Sequence, residues 1–270
     1  MPTVESSGVR LHYEVSGRKD APCLVLVNSL GSNLHMWDKV LPALEDKYGV
    51  LRFDLRGHGQ SEVAGEAFAI DDLGRDVLKL MDEAGARSAS ICGVSLGGLV
   101  SLWIAIHAPD RADKLILANT AARIGSEEMW RQRIAAVRDL GMEALSVAML
   151  DRWLTPAYRN QHPDEAEKIR AMIAATDPEG YIACCAALND ADLRAEAAEV
   201  KAPTLVITGT HDPATPPALG RALHAAIEHS SHLELNASHM AAWECSDEFA
   251  AAVVQHLAAT EVTPGRPGQG

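Results

Sequence analysis

Aromatic side chains are scarce, only 4% of 270 residues, and no apolar run reaches the roughly 18 residues that a membrane-spanning helix needs. Positive charge is also short. Against 37 aspartates and glutamates stand 24 lysines and arginines, a formal net charge of −13. No basic stripe is present to neutralise phosphates, which argues against nucleic acid as a partner. The opening Met1-Pro2-Thr3-Val4-Glu5 lacks the basic and apolar segments of a signal peptide. A cytoplasmic location without membrane association is therefore expected. The five cysteines, Cys23, Cys92, Cys184, Cys185 and Cys245, are odd in number, and no pair has zinc-ligand spacing. They read as free, mostly buried thiols in a reducing compartment, and neither a metal nor a cofactor is called for. Nor is there an internal repeat or any sign of oligomeric state.

The remaining composition, 47% hydrophobic and 23% charged, is that of an ordinary globular protein. Strand and helix signals alternate through residues 1–122. Val9–Val15 alternates like a half-exposed hairpin strand, and Cys23–Val27, Val50–Phe53, Ser88–Cys92 and Lys114–Ala118 read as buried strands. An amphipathic stretch covers Met36–Leu44, and Ile70–Ala84 is a helix opened by Asp71-Asp72 and closed by Gly85. The alternation stops near Thr120. Residues 123–200 then show helical periodicity almost throughout, over Ser126–Arg138, Met142–Trp153, Pro163–Thr176 and Glu179–Leu188. It resumes over 201–260, with strands Thr204–Thr208 and Ser231–Leu235 and helices Pro217–Ala226 and Ser246–Ala259. The prediction is one α/β domain, a mostly parallel sheet with helices on both faces, interrupted by an all-helical insertion. Residues 261–270, with Thr260 before them, are Pro- and Gly-rich and expected to be a disordered tail.

The most informative stretch is Gly93-Val94-Ser95-Leu96-Gly97, between a buried strand and the apolar helical run Gly98–His107. A G-x-S-x-G on a strand-to-helix turn is a nucleophile elbow, whose glycines permit a turn too sharp for Cβ atoms and which holds its serine strained. Such a serine needs a base, and the base needs an orienting acid, in the chain order Ser, Asp, His. Asp212, in the turn Gly209-Thr210-His211-Asp212-Pro213 after a buried strand, is the candidate acid. His239, in the loop after the last strand, is the candidate base. Of its competitors, His211 reads as a turn residue, His232 as a solvated strand residue and His58 as part of a structural glycine turn. Oxyanion donors are expected from the backbone N–H groups of Leu96, which follows the nucleophile, and Leu30, in the loop after Cys23–Val27.

Taken in order, these residues resemble the α/β-hydrolase superfamily across nearly the whole chain, and within it the 3-oxoadipate enol-lactonases. The resemblance is carried by NSLGSNLHMWD (28–38), DLRGHGQS (54–61), GVSLGG (93–98) and GTHDPATPP (209–217). More specific are strings in the helical insertion: LANTAARIGSEEMWRQRIAAV (117–137), RWLTPAYR (152–159) and EGYIACCAAL (179–188). One departure is His239-Met240-Ala241-Ala242-Trp243-Glu244, where small or polar residues are expected after the histidine.

The resemblance implies a fold with an inserted helical cap (123–200) and a small anionic lactone substrate, opened to a 3-oxo diacid in aromatic-compound catabolism. A carboxylate-bearing substrate needs a cation against the acidic field of the whole chain. Arg133 is the choice, because arginine's fork suits a carboxylate, with Trp130 one turn earlier and Trp153 as apolar walls. The alternatives are a general carboxylesterase or other small-acyl hydrolase, and a non-catalytic binding protein on the same fold. A dehalogenase is disfavoured because Ser95 stands where that chemistry uses a carboxylate.

Overall fold

The apolar runs form one eight-stranded sheet in a computed structural model that describes residues 2–259. Met1 and the expected tail from Thr260 to Gly270 lie outside the described residues. The strands are β1 (Thr3–Ser6), β2 (Val9–Gly17), β3 (Cys23–Val27), β4 (Gly49–Phe53), β5 (Ala89–Val94), β6 (Ala112–Ala118), β7 (Thr204–Gly209) and β8 (Ser230–Leu235). Their order is β1-β2-β4-β3-β5-β6-β7-β8. β1 and β2 run antiparallel to their neighbours, and every pair from β4 onward is parallel. The central strands β3, β4, β5 and β7 are buried on both faces, so they carry unbroken apolar runs rather than alternation.

Ten α-helices lie among the described residues. α1 (Leu41–Glu45), α2 (Ile70–Glu83) and α3 (Leu96–His107) belong to the first half. α4 (Glu127–Trp153), α5 (Pro156–Gln161), α6 (Pro163–Ala174) and α7 (Pro178–Asp190) follow β6. α8 (Pro217–Ala226), α9 (Ala241–Glu244) and α10 (Ser246–Ala258) complete the chain. The two helices expected over 126–138 and 142–153 are both present; they run end to end as α4 and are parted by a kink. At its bend Gly141 takes φ 75° and ψ 173°, a conformation glycine reaches without a Cβ clash. The amphipathic stretch 36–44 is a short 3-10 turn, Leu34–Trp37, followed by α1. β1, α5 and α9 carry no periodic signal of their own, being four to six residues long.

A buried polar chain braces the loop after β3. Arg56 makes a two-pronged contact with Asp76 of α2, at 2.7 and 2.6 Å, and Ser6 of β1 donates to the same carboxylate at 2.6 Å. The Arg56 carbonyl accepts from His58 Nδ1 at 3.1 Å, and His58 Nε2 accepts the Gly31 N–H at 3.0 Å. These bonds fix the neutral tautomer, and burial lowers the His58 pKa from its ordinary value.

Two outcomes are expected. Asp76→Ala strands a buried guanidinium and should cost about 3–5 kcal/mol, read by urea denaturation. The lowered pKa of His58 also has a sign. Below about pH 6.5 the unfolded chain takes up a proton that the folded imidazole refuses, so stability falls as pH falls. Urea midpoints between pH 7.5 and 5.5 should decline, and His58→Gln should flatten the slope by up to about 1.4 kcal/mol per pH unit.

Candidate active site

Ser95 sits between β5 and α3 with φ 57° and ψ −117°, in the left-handed region that a residue with a side chain seldom adopts. Its neighbours make the turn possible. A Cβ on Gly93 would lie 2.2 Å from the Gly97 carbonyl oxygen, and one on Gly97 would lie 2.1 Å from that of Val27. The elbow is pinned from both sides. Ser95 N–H donates to the Ala118 carbonyl at 2.9 Å, and its own carbonyl accepts from Thr120 Oγ1 at 2.7 Å.

Asp212 and His239 meet at 2.8 Å, Oδ2 to Nδ1, and both are almost fully buried. Asp212 is a hub. Its Oδ2 also accepts from Asn119 Nδ2 at 3.0 Å and Thr215 Oγ1 at 2.7 Å, and its Oδ1 from the backbone N–H groups of Ala214 and Thr215. Burial alone would push this carboxyl's pKa up. The charge and hydrogen bond of His239, with the Thr215 and Asn119 donors, outweigh it and hold the carboxyl below its ordinary value. Ser95 and His239 both line one cavity of about 70 Å³. No hydrogen bond joins their side chains in this structure. Such contacts commonly tighten only around substrate.

Four of the other expected site residues lie around the same space, and Leu96 is not among them. Leu30, Trp130, Arg133 and Trp153 all line the cavity. The amides on either side of Leu30 are committed, Ser29 N–H to Met36 Sδ and Gly31 N–H to His58 Nε2. The Leu30 N–H has no acceptor among the described residues, and neither has that of Leu96 at the start of α3. Arg133 donates to the Tyr181 hydroxyl at 3.0 Å, Trp130 Nε1 to the Ile124 carbonyl at 2.8 Å. The Trp153 ring lies 6.3 Å from that of His239. The competing histidines lie elsewhere. His211 bonds Asn236 at the surface, and His232 pairs with Thr208 and stacks on His224, half-buried rather than solvated.

Sequence reasoning missed Asn119, Thr215, Arg152 and Glu244. Asn119, at φ 45°, follows a strand end where asparagine tolerates the left-handed region, a signal available in principle. Thr215 is three residues past Asp212, within reach of a local side-chain bond. Glu244 explains the departure after His239. It holds Thr155 N–H and Oγ1 at 2.6 and 2.7 Å with one oxygen and the Ser238 N–H with the other. Trp243 Nε1 reaches Glu165 of α6 at 3.0 Å, and Glu165 also pairs with Lys39 at 2.9 Å. Burial would raise the Glu165 pKa; the Tyr158, Lys39 and Trp243 donors bring it down to about 2.

Among the described residues, no group of three or more His, Cys, Asp or Glu side chains is arranged to hold a metal ion, and no helix is long and apolar enough to cross a membrane. The five cysteines are free, and burial raises their pKa values, which keeps them protonated and inert.

Comparison with known proteins gives this geometry a family. The chain is 40% identical over 251 residues to 3-oxoadipate enol-lactonase 2 of Acinetobacter baylyi, covering 93% of this chain and 94% of that protein. The crystal structure of the enol-lactonase from Burkholderia xenovorans LB400 matches with a TM-score of 0.94 and 44% identity, over 96% of this chain and all of the other. A thermophilic esterase from Thermogutta terrifontis matches at 0.88 with 28% identity, over 94% and 96%. Residues 22–245 match the model of the alpha/beta hydrolase fold, and with a serine elbow between β5 and α3 on an eight-stranded sheet, the chain belongs to the α/β-hydrolase family.

Proposed function

We propose that the chain is a serine hydrolase that opens 3-oxoadipate enol-lactone to 3-oxoadipate in aromatic-compound breakdown, working in the cytoplasm. The reading rests on one observation above all. An Asp212–His239 pair bonded at 2.8 Å opens onto the same cavity as a serine held at φ 57°. Likeness over about nine-tenths of its length to proteins named 3-oxoadipate enol-lactonase supplies the substrate.

Ser95 Oγ adds to the lactone carbonyl while His239 takes its proton, and Asp212 steadies the imidazolium. The tetrahedral oxyanion receives the Leu30 and Leu96 N–H groups, each donor worth roughly 2.7–4 kcal/mol of barrier. The bond from the acyl carbon to the ring oxygen then breaks, and His239 returns its proton to that oxygen. The leaving enol stays tethered to the acyl-enzyme and could re-close the ring. Its tautomerisation to the ketone removes that nucleophile. Water, deprotonated by His239, then releases the acyl group from Ser95. Arg133 brings positive charge into the cavity against the field of an acidic chain, and Trp130 and Trp153 wall it with apolar surface.

Product analysis with freshly generated enol-lactone tests the reading, 3-oxoadipate being expected. Ser95→Ala should lower kcat about 10⁴-fold or more, and Asp212→Asn by about 10⁴-fold, with both proteins still folded by circular dichroism. Turnover confined to neutral esters would favour a general carboxylesterase instead. Arg133→Ala should reduce kcat/KM for the lactone about tenfold or more, as expected for removal of a cation that lines the cavity. An unchanged kcat/KM would remove Arg133 from substrate binding.

A further inference from the structure

A second cation lines the cavity beside Ser95 and His239. Arg152 lies half-buried in the last turn of α4, and among the described residues its side chain has neither an ion pair nor a hydrogen bond. Other partly or fully buried arginines of this acidic chain, Arg52, Arg56, Arg111 and Arg170, each hold a carboxylate. Withdrawing a guanidinium from water without a partner is costly, so an anion from outside the chain is its natural complement.

The two cavity arginines stand on different sides. The Arg152 carbonyl accepts from Ser238 Oγ at 2.6 Å, and the Trp153 carbonyl accepts the Met240 N–H at 3.0 Å. Arg152 therefore belongs to the wall that carries His239. Arg133 bonds Tyr181, whose ring would lie 3.0 Å from a Cβ on Gly31, the residue after Leu30. That is the side of the oxyanion donors.

The chemistry of an enol-lactone distinguishes these sides. Its ring oxygen bridges the acyl carbon and the enol carbon, and the carboxymethyl arm is borne by the enol carbon. With the acyl oxygen at the Leu30 and Leu96 amides, the ring oxygen must face His239, which protonates it. The arm then extends beyond that oxygen, along the His239 wall. We propose that Arg152 receives the arm's carboxylate and so determines specificity. The sequence alone assigned this contact to Arg133. Arg133 stays at the acyl end, where hydrolysis creates the second carboxylate of the product. The assignment rests on the lactonase reading.

The competing explanation is that Arg152 merely complements the C-terminal end of the α4 dipole. Steady-state kinetics of Arg152→Gln and Arg152→Lys separate the two, using the carboxymethyl lactone and its neutral counterpart bearing a methyl group instead. For Arg152→Gln, kcat/KM on the anionic lactone should fall about 10- to 100-fold, mostly through KM, as expected for a charged hydrogen bond. On the neutral lactone the change should stay below about threefold, and lysine should recover part of the loss. Adipate, a six-carbon dicarboxylate, should inhibit the wild-type protein competitively and the glutamine variant more weakly. Equal loss on both lactones, or none on the anionic one, overturns the assignment while leaving the lactonase reading intact. A wild-type protein inactive on the anionic lactone would remove that reading and this assignment together.

Discussion

Everything at the site depends on how tightly β5 can turn into α3. Ser95 at φ 57° occupies a backbone region that costs of order 1–3 kcal/mol for a residue with a side chain, and the surrounding contacts hold it there. Apart from the Thr120 hydroxyl, those contacts are backbone on backbone. Gly93 faces the Gly97 carbonyl, and Gly97 faces that of Val27 at the end of β3. The strand, the helix and the neighbouring strand meet at a point where no Cβ fits. The consequence is a hydroxyl at the carboxyl edge of the sheet and a helix N-terminus whose first amide, Leu96 N–H, needs an acceptor. The buried path Asp76–Arg56–His58–Gly31 sets the facing loop, so Leu30 and Ser95, from distant parts of the chain, line one cavity.

The inserted helices do more than enclose that cavity. The loop carrying His239 is stitched to the end of α4, through Ser238 to Arg152 and Met240 to Trp153, and Glu244 closes the arrangement on Thr155. Trp243 and Lys39 meet at Glu165 of α6. The His239 loop and the end of α4 are thus mechanically one unit, and displacement of the end of α4 would carry His239 with it. Gly141 parts two helical segments, of which the first contributes Arg133 and the second Arg152 to the same space.

Charge sets those arginines apart. The chain carries a formal −13, and a field of that sign disfavours a small anion approaching the surface. Within the cavity the balance is local, because half-buried guanidiniums interact through a medium less polar than water and are screened less than surface pairs. Arg133 hydrogen-bonds only the neutral Tyr181 hydroxyl, and Arg152 has no side-chain partner among the described residues.

Much of this was legible in the sequence. The elbow was, because its glycines answer a local steric demand. The parallel strands were, because burial on both faces leaves continuous apolar runs. Asp212 and His239 could be chosen because strand ends are fixed by local pattern, and chain order does the rest. The amino-acid sequence therefore determined the fold class, the elbow at Ser95, and the acid and base candidates. Only the tertiary structure decided that Asn119 and Thr215 complete the Asp212 hub, that Glu244 ties the His239 loop to Thr155, and that Arg152 lines the cavity beside Ser95. These are contacts between residues up to 93 positions apart, formed by side chains whose partners the local pattern does not encode.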